Sequence, residues 1–338
     1  MSDFNRRKFL RKMLGVGALS GLVTGCAEDW RSSADTGGSP EAARQASRKE
    51  AGGEQTTFQY AMCNEIVQDR SWAEQCKLIS KAGYTGVEIA PFTLVESRNA
   101  EGVQDIPASE RQALLQTMQE KGLSCVGLHW LLASPPDGLH FTTSDEELRQ
   151  RSIDYLDHLI DFCADLDGKY MIFGSPDQRS AVEGMTVQGA MDNFADGLSQ
   201  VAGHAEKRGV KILVEPLTSD QTNVVNTLEE AMQIVRRVDH PAIQTMFDFH
   251  NTADETQPLD ELIREYYEHI YHVHVQEMDG TYLGTGNAVN DYVGTFQVLK
   301  DRGYDRWISL EVFDFEPGGT TIAQESMKTL QKIESKLS

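Results

Sequence analysis

Few cysteines, few cations and no long hydrophobic run mark this sequence, and each shortage closes off a class of answer. The five cysteines, Cys26, Cys63, Cys76, Cys125 and Cys163, include no C-x-x-C pair. The last four therefore read as free, mostly buried thiols, in a domain stabilised by its core rather than by bridges. Lys and Arg number 31 against 52 Asp and Glu, a formal charge of -21 that repels phosphodiester backbones and excludes nucleic acid as a partner. The longest largely apolar stretch, Met13 to Gly25, is 13 residues, short of the roughly 20 that span a bilayer. No candidate strand is followed by a G-x-G-x-x-G phosphate loop, which disfavours a doubly wound nucleotide-binding sheet. What remains is an ordinary globular composition, 40% hydrophobic and 25% charged over 338 residues, enough for one large barrel or two average domains.

The charge is unevenly spread. Residues 1–25 carry Arg6, Arg7, Lys8, Arg11 and Lys12 against Asp3, a net of +4, so the rest of the chain carries -25. A charged start, a short apolar centre and small residues at its end describe an export signal. The paired Arg6 and Arg7 resemble the twin-arginine type, whose machinery carries folded proteins. Val23-Thr24-Gly25-Cys26 resembles a lipobox, which implies cleavage after residue 25, acylation of Cys26 and a periplasmic protein held at the membrane only by that lipid. Residues 26–56 are small and polar apart from Trp30 and read as a flexible tether.

From residue 57 to 338 short apolar, β-branched runs alternate with helical patterns. Eight runs read as strands: TFQYAM at 57, GVEIA at 86, LSCVGLH at 123, KYMIFG at 169, VKILVEP at 210, IQTMFDF at 243, IYHVHV at 270 and WISLEVF at 307. Helical segments are predicted over 71–82, 108–121, 145–166, 187–208, 227–237 and 322–335, three of them stopped by Gly83, Gly122 and Gly209. Eight strand-helix units in a stretch close to the roughly 250 residues of a (β/α)8 barrel predict a single α/β TIM barrel.

Four consecutive strands, the fifth to the eighth, finish on a ligand-type side chain: Glu215, Asp248, His274 and Glu311. In a barrel these strand ends converge on one face, where active sites are built. Three carboxylates and an imidazole form an oxygen-rich site for one divalent ion, Mn²⁺ foremost, with Mg²⁺, Co²⁺ or Zn²⁺ as alternatives. A structural zinc site would be cysteine-rich and closed.

On these residues the chain resembles the xylose isomerase-like TIM barrels, in particular the sugar phosphate isomerase/epimerase group with its ketose 3-epimerases and hydroxypyruvate isomerases. Asn226-Thr227 opening a helix, and HVHVQE followed by LGTG at 283–286, are also similar to that group. The resemblance implies a metal held by Glu215, Asp248, His274 and Glu311. It also implies chelation of adjacent carbonyl and hydroxyl oxygens of a ketose, an enediolate, and Glu215 and Glu311 as base and acid on opposite faces of the sugar. Two substrate-contact positions depart from the pattern. Gly280 stands where an arginine is typical, and Gln221 where a glutamate is typical, which makes a free ketohexose or ketopentose doubtful as the substrate.

Further substrate-binding candidates are His129 and Trp130 after the third strand, His250 two residues past Asp248, Glu88 on the second strand, Glu277, Gln221, and Ser175 with Arg179 in GSPDQR. His129 with Trp130, His250, Glu88 and Arg179 each have a structural alternative, as packed aromatic, orienting histidine, buried hydrogen-bonded acid and surface arginine, while Glu277 and Gln221 are candidates only through the resemblance. His272 reads as a core histidine below His274. The favoured activity is isomerisation or epimerisation of a sugar or sugar-derived ketone, with a lyase or dehydratase acting on a keto-sugar or 3-keto-glycoside as the alternative. A non-catalytic carbohydrate-binding lipoprotein is a weaker reading. An endonuclease IV-type nuclease is set aside, since that site needs more ligands and the body opposes DNA. The partner is a small carbohydrate, and a homo-oligomer is left open.

Overall fold

The computed structural model describes residues 57–338; the expectations for the leader 1–25, the tether 26–56 and Cys26 lie outside the described residues. All eight predicted runs are strands: β1 (Gln59–Cys63), β2 (Gly86–Ile89), β3 (Ser124–Leu128), β4 (Tyr170–Phe173), β5 (Lys211–Val214), β6 (Ile243–Asp248), β7 (Ile270–Val275) and β8 (Trp307–Leu310). They pair in chain order, all parallel, and β8 closes on β1 to complete a barrel. Around it lie α1 (Trp72–Lys81), α2 (Ala108–Glu120), α3 (Glu146–Asp165), α4 (Val187–Arg208), α5 (Leu228–Val238), α6 (Leu259–Tyr266), α7 (Val293–Asp301) and α8 (Gly319–Glu334). No helix among the described residues is long and apolar enough to cross a membrane.

Local chemistry sets the helix ends. Ser71 and Glu74 form a reciprocal capping box at α1, and Asp145, Thr186 and Thr227 accept backbone N–H groups at the starts of α3, α4 and α5. Gly209 ends α4 in the left-handed region at φ 70°, where a Cβ would be strained. α8 starts three residues before its predicted boundary, because the periodic apolar pattern begins only at Ile322 whereas the backbone is already helical from Gly319.

Two packing zones follow from strand alternation. Phe173 points outward, 4.9 Å from both Phe141 and Phe194 under the helices. Its neighbour Ile172 points inward and, with Leu213 and Met246, forms a small cluster separate from the main core. At the β3–β4 seam a Cβ on Gly127 would lie 1.8 Å from the Tyr170 carbonyl oxygen, so only glycine allows those strands to pair. Cys63, Cys76, Cys125 and Cys163 are free and buried, as expected.

Candidate metal centre

Barrel closure brings the four strand-end residues together. Asp248 and His274 are direct partners across β6 and β7, while Glu215 and Glu311 each stand one residue beyond β5 and β8. One donor atom from each of the four lies within 4.8 Å of the other three, and all four side chains are buried. His274 Nδ1 is 3.1 Å from Glu311 Oε2 and 3.8 Å from Glu215 Oε1.

The hydrogen bonding of His274 shows what this arrangement requires. Its Nε2 is 2.9 Å from Glu88 Oε1, and a carboxylate there only accepts, so Nε2 carries the proton. Nδ1 faces the carboxylates of Glu311 and Glu215, and in the neutral imidazole it would turn a lone pair toward them. Acceptors confronting one another in a dry interior need a cation among them, either a proton or a metal ion. Three carboxylates and an imidazole, with the far ring nitrogen fixed by a carboxylate, match the donor chemistry of a divalent metal. Without an ion, burial works against protonation of His274, but the carboxylates of Glu88 and Glu311 outweigh it and hold the imidazole well above its ordinary range.

Beside the four lies a buried chain of alternating acids and imidazoles. Burial penalises the Glu88 carboxylate, yet His274 and His272 beside it keep it ionised, well below its usual value. His272 Nε2 is 2.8 Å from Glu88 Oε2, so this residue is deeper than His274, as expected, but engaged with an acid instead of being an inert core residue. His129 lies 3.0 Å from Glu65 and 3.4 Å from Glu88. Although burial opposes its charge, Glu65 raises its imidazole above the ordinary value. Glu65 was invisible to the sequence reading, since nothing in CNEIV marks it; Cys63, two residues earlier, shares its pocket with His129.

Two amides orient the acids. Asn251 Nδ2 donates to Glu215 Oε1 at 3.2 Å and to Asp248 Oδ2, while its own oxygen accepts from Gln221 Nε2 at 2.7 Å. Gln276 Nε2 donates to the other Asp248 oxygen at 3.0 Å. Gln276 was legible in principle, because it lies two residues past His274 on the same face of an extended segment. Asn251→Ala should weaken Mn²⁺ binding by about 10–100-fold in isothermal titration, the usual cost of losing an orienting partner, with the circular dichroism spectrum unchanged.

The remaining candidates divide. Gln221 reaches the centre through Asn251. His250 stands beside it, its N–H donating to Asp248 Oδ1 at 2.9 Å, its ring Nδ1 bonded to the Met278 carbonyl, and its face 5.1 Å from Phe313. Trp130 adopts a left-handed backbone at φ 52° and packs in an apolar cluster with Ala90, Phe92, Ala133 and Phe313, apart from the main core. Glu277 does not face the centre as a substrate group. Its oxygens accept from the N–H groups of Gly284 and Ala288, and a Cβ on Gly286 would lie 2.4 Å from it, which explains the LGTG string as a close approach to this carboxylate. Arg179 is neither a surface residue nor a ligand for sugar hydroxyls. Fully buried, it donates to the carbonyls of Phe173, Glu215 and Val225 and so clamps the ends of β4 and β5. Ser175 accepts from the Leu132 N–H instead of facing outward.

Comparison with known proteins agrees with the barrel fold. A family model described as xylose isomerase-like TIM barrel matches residues 76–333. A probable ketose 3-epimerase of Synechocystis is 26% identical over 225 residues, 59% of this chain and 74% of the relative. The fructoselysine 3-epimerase of Shigella flexneri is 23% identical over 239 residues, 69% and 82% of the two chains. Among solved structures, the apo 3-keto-D-glucoside 4-epimerase of E. coli superposes with a TM-score of 0.69 at 17% identity, covering 81% of this chain and 99% of that one. D-psicose 3-epimerase of Clostridium cellulolyticum with D-tagatose gives 0.68 at 16% identity, covering 81% and 97%. At those identities the two structures establish the shared fold.

Proposed function

The chain belongs to the xylose isomerase-like TIM barrel family, and from that premise we propose that it is a divalent-metal-dependent isomerase or epimerase of a sugar or sugar-derived ketone. The observation that carries the reading is the convergence of His274 Nδ1 with the carboxylates of Glu215 and Glu311, and of Asp248 beside them, at the ends of four consecutive strands. Two curated relatives, the probable ketose 3-epimerase and the fructoselysine 3-epimerase, support the reaction class.

Glu215, Asp248, His274 and Glu311 would hold the ion, with Mn²⁺ as the best fit to an oxygen-rich donor set. A divalent ion there supplies positive charge opposite the negative charge that develops on adjacent substrate oxygens when a neighbouring carbon loses its proton. Glu215 and Glu311 take and return that proton from opposite sides. Asn251 keeps Glu215 oriented for the transfer, and Gln276 and the His250 N–H keep Asp248 oriented. Glu88 fixes the His274 tautomer.

A lyase that expels a group from the adjacent carbon shares the first proton transfer. It is the second reading because Arg6-Arg7 and Cys26 suggest an exported, lipid-anchored protein, placed where glycosides rather than phosphorylated metabolites are met. Incubating the Mn²⁺-loaded protein with ketoses and 3-keto-glycosides in D₂O and following them by NMR tests both readings. Epimerisation is expected to bring one deuterium onto the carbon beside the carbonyl without loss of any fragment. Release of a fragment assigns the lyase, and a protein that takes up no divalent ion and exchanges no proton refutes both.

A further inference from the structure

We infer that Cys63, Glu65 and His129 form a second cation site, separate from the four strand-end ligands, which takes a thiophilic divalent ion such as Zn²⁺ or Co²⁺. The inference does not depend on the proposed ketone chemistry, because an ion enclosed there need not touch substrate.

Barrel curvature collects the three donors. Cys63 is the last residue of β1, Glu65 stands in the turn Asn64–Val67 that follows it, and His129 comes directly after β3. β2 pairs with both β1 and β3, so the ends of β1 and β3 meet across it inside the barrel. One donor atom from each residue lies within 4.8 Å of the other two, and all three side chains are buried. Glu65 Oε2 is 3.0 Å from His129 Nε2. Two ligands held tetrahedrally by zinc bonds of roughly 2.0–2.3 Å stand about 3.3–3.6 Å apart, so small side-chain rotations close this set on one ion. Asn64 holds the turn in place: its amide donates to Thr93 Oγ1 at 2.9 Å and Gln75 Oε1 at 3.1 Å, and its oxygen accepts from the Ala90 N–H at 2.8 Å.

Two further observations point to an ion. Glu65 Oε1 is buried and has no hydrogen-bond partner, although a carboxylate oxygen shielded from water needs one. Of the four described cysteines, Cys63 alone lies among acids and imidazoles in this way. A proton on His129 is the rival occupant; it serves Glu65 Oε2 and Glu88 but leaves Cys63 and Glu65 Oε1 unused. Burial, and then the Glu88 and Glu65 carboxylates, push the Cys63 thiol well above its ordinary value, so without an ion it is uncharged. A coordinated thiol is deprotonated outright, and the ion therefore exchanges for that proton. Sulfur and imidazole donors select zinc or cobalt, whereas the oxygen-rich centre suits Mn²⁺. Glu88 lies between the two sites, with Oε1 2.9 Å from His274 Nε2 and 3.4 Å from His129 Nδ1, and it converges with Cys63 as well. Its carboxylate is placed to fill a fourth position on the second ion.

The test produces the full chain in Zn²⁺-depleted medium supplemented with Co²⁺, so that the ion is present while the barrel closes, and then reads bound metal and near-ultraviolet absorption. Cobalt shows an intense sulfur-to-metal charge-transfer band only when a thiolate is a ligand, and the four strand-end ligands contain no sulfur. The wild-type protein is expected to carry this band and a second equivalent of metal. Cys63→Ser is expected to lose both while still taking up Mn²⁺ at the strand-end centre, and Glu65→Gln to weaken Co²⁺ binding at the band-bearing site by at least about tenfold. Asp248→Asn, which disables the strand-end centre, is expected to keep the band, as are Cys26→Ser and Cys163→Ala. Circular dichroism identifies the variants that are folded. A folded wild-type protein that binds Co²⁺ without the band overturns the site. A band that survives Cys63→Ser, is indifferent to Glu65→Gln or disappears in folded Asp248→Asn overturns it equally, since the sulfur or the ion then belongs elsewhere. The strand-end centre and the proposed reaction stand or fall separately, on Mn²⁺ uptake and proton exchange.

Discussion

Glu311→Gln, loaded with Mn²⁺ to the wild-type stoichiometry, is expected to lose about 10³-fold in kcat for interconversion of the two epimers. The amide keeps the shape of the side chain and one neutral oxygen donor, but it cannot hold a proton at the reacting carbon, and a positioned acid or base typically contributes 10²–10⁴-fold. The geometry allows a sharper form of the prediction. Glu215 and Glu311 approach His274 from β5 and β8, on either side of the β6–β7 pair, so each is assigned one face of the substrate. In the variant, the epimer whose proton faces Glu215 should still exchange it with D₂O, while the opposite epimer is neither exchanged nor formed. Glu215→Gln should show the mirror pattern. Undiminished interconversion in a metal-replete Glu311→Gln protein would remove this residue from the proton transfer altogether. Loss of the metal instead would show up directly as a changed Mn²⁺ content, which separates a failed ligand from a failed acid-base group.

The parts of this site that were legible in sequence are those that strand periodicity can express. An ionisable residue closing an apolar run is conspicuous, and four such residues spaced by one strand-helix unit each define a common face, as the convergence of Glu215, Asp248, His274 and Glu311 bears out. Residues that act through loops left no such mark. Asn251 follows Asp248 by three residues in an irregular turn, where its side chain happens to reach both Glu215 and Asp248. Glu65 sits in a short helical turn after β1, and only barrel closure brings it against His129 from β3. Arg179 and Glu277 failed in the opposite direction. Arg179 was a candidate from its GSPDQR turn and Glu277 from its resemblance to a family position near the substrate, yet each is engaged by backbone groups that the fold would otherwise bury unpaired. Charge near a strand end is informative only when the neighbouring backbone is already satisfied, and a sequence does not display that condition.

Removing divalent ions should abolish activity and lower Tm by about 10 °C, and the loss should grow as pH rises. An ion present at about 1,000 times its Kd stabilises the native state by about 4 kcal/mol, and each kcal/mol is worth about 2–4 °C in a domain of this size. The pH trend follows from His274. In the ion-free protein, Glu88 and Glu311 overcome the effect of burial and lift this imidazole well above its ordinary value, so near neutral pH a proton occupies the place between Nδ1 and the carboxylates. Its contribution to stability is complete below the unfolded-state pKa of about 6.5 and is lost as pH rises toward the raised native value. An incoming ion must expel that proton, so ion affinity falls by about tenfold for each pH unit below the native value. The ion-free protein thus loses stability with rising pH over a range in which the loaded protein, with no proton on His274 Nδ1, keeps its own, so the gap between them widens. Differential scanning calorimetry with and without chelator between pH 6 and 9 reads the divergence directly, and titration of Mn²⁺ in buffers of different ionisation enthalpy counts the proton released. A Tm difference independent of pH, with no proton released, would mean that His274 is neutral before the ion arrives and that the ion fills a vacancy instead of replacing a proton.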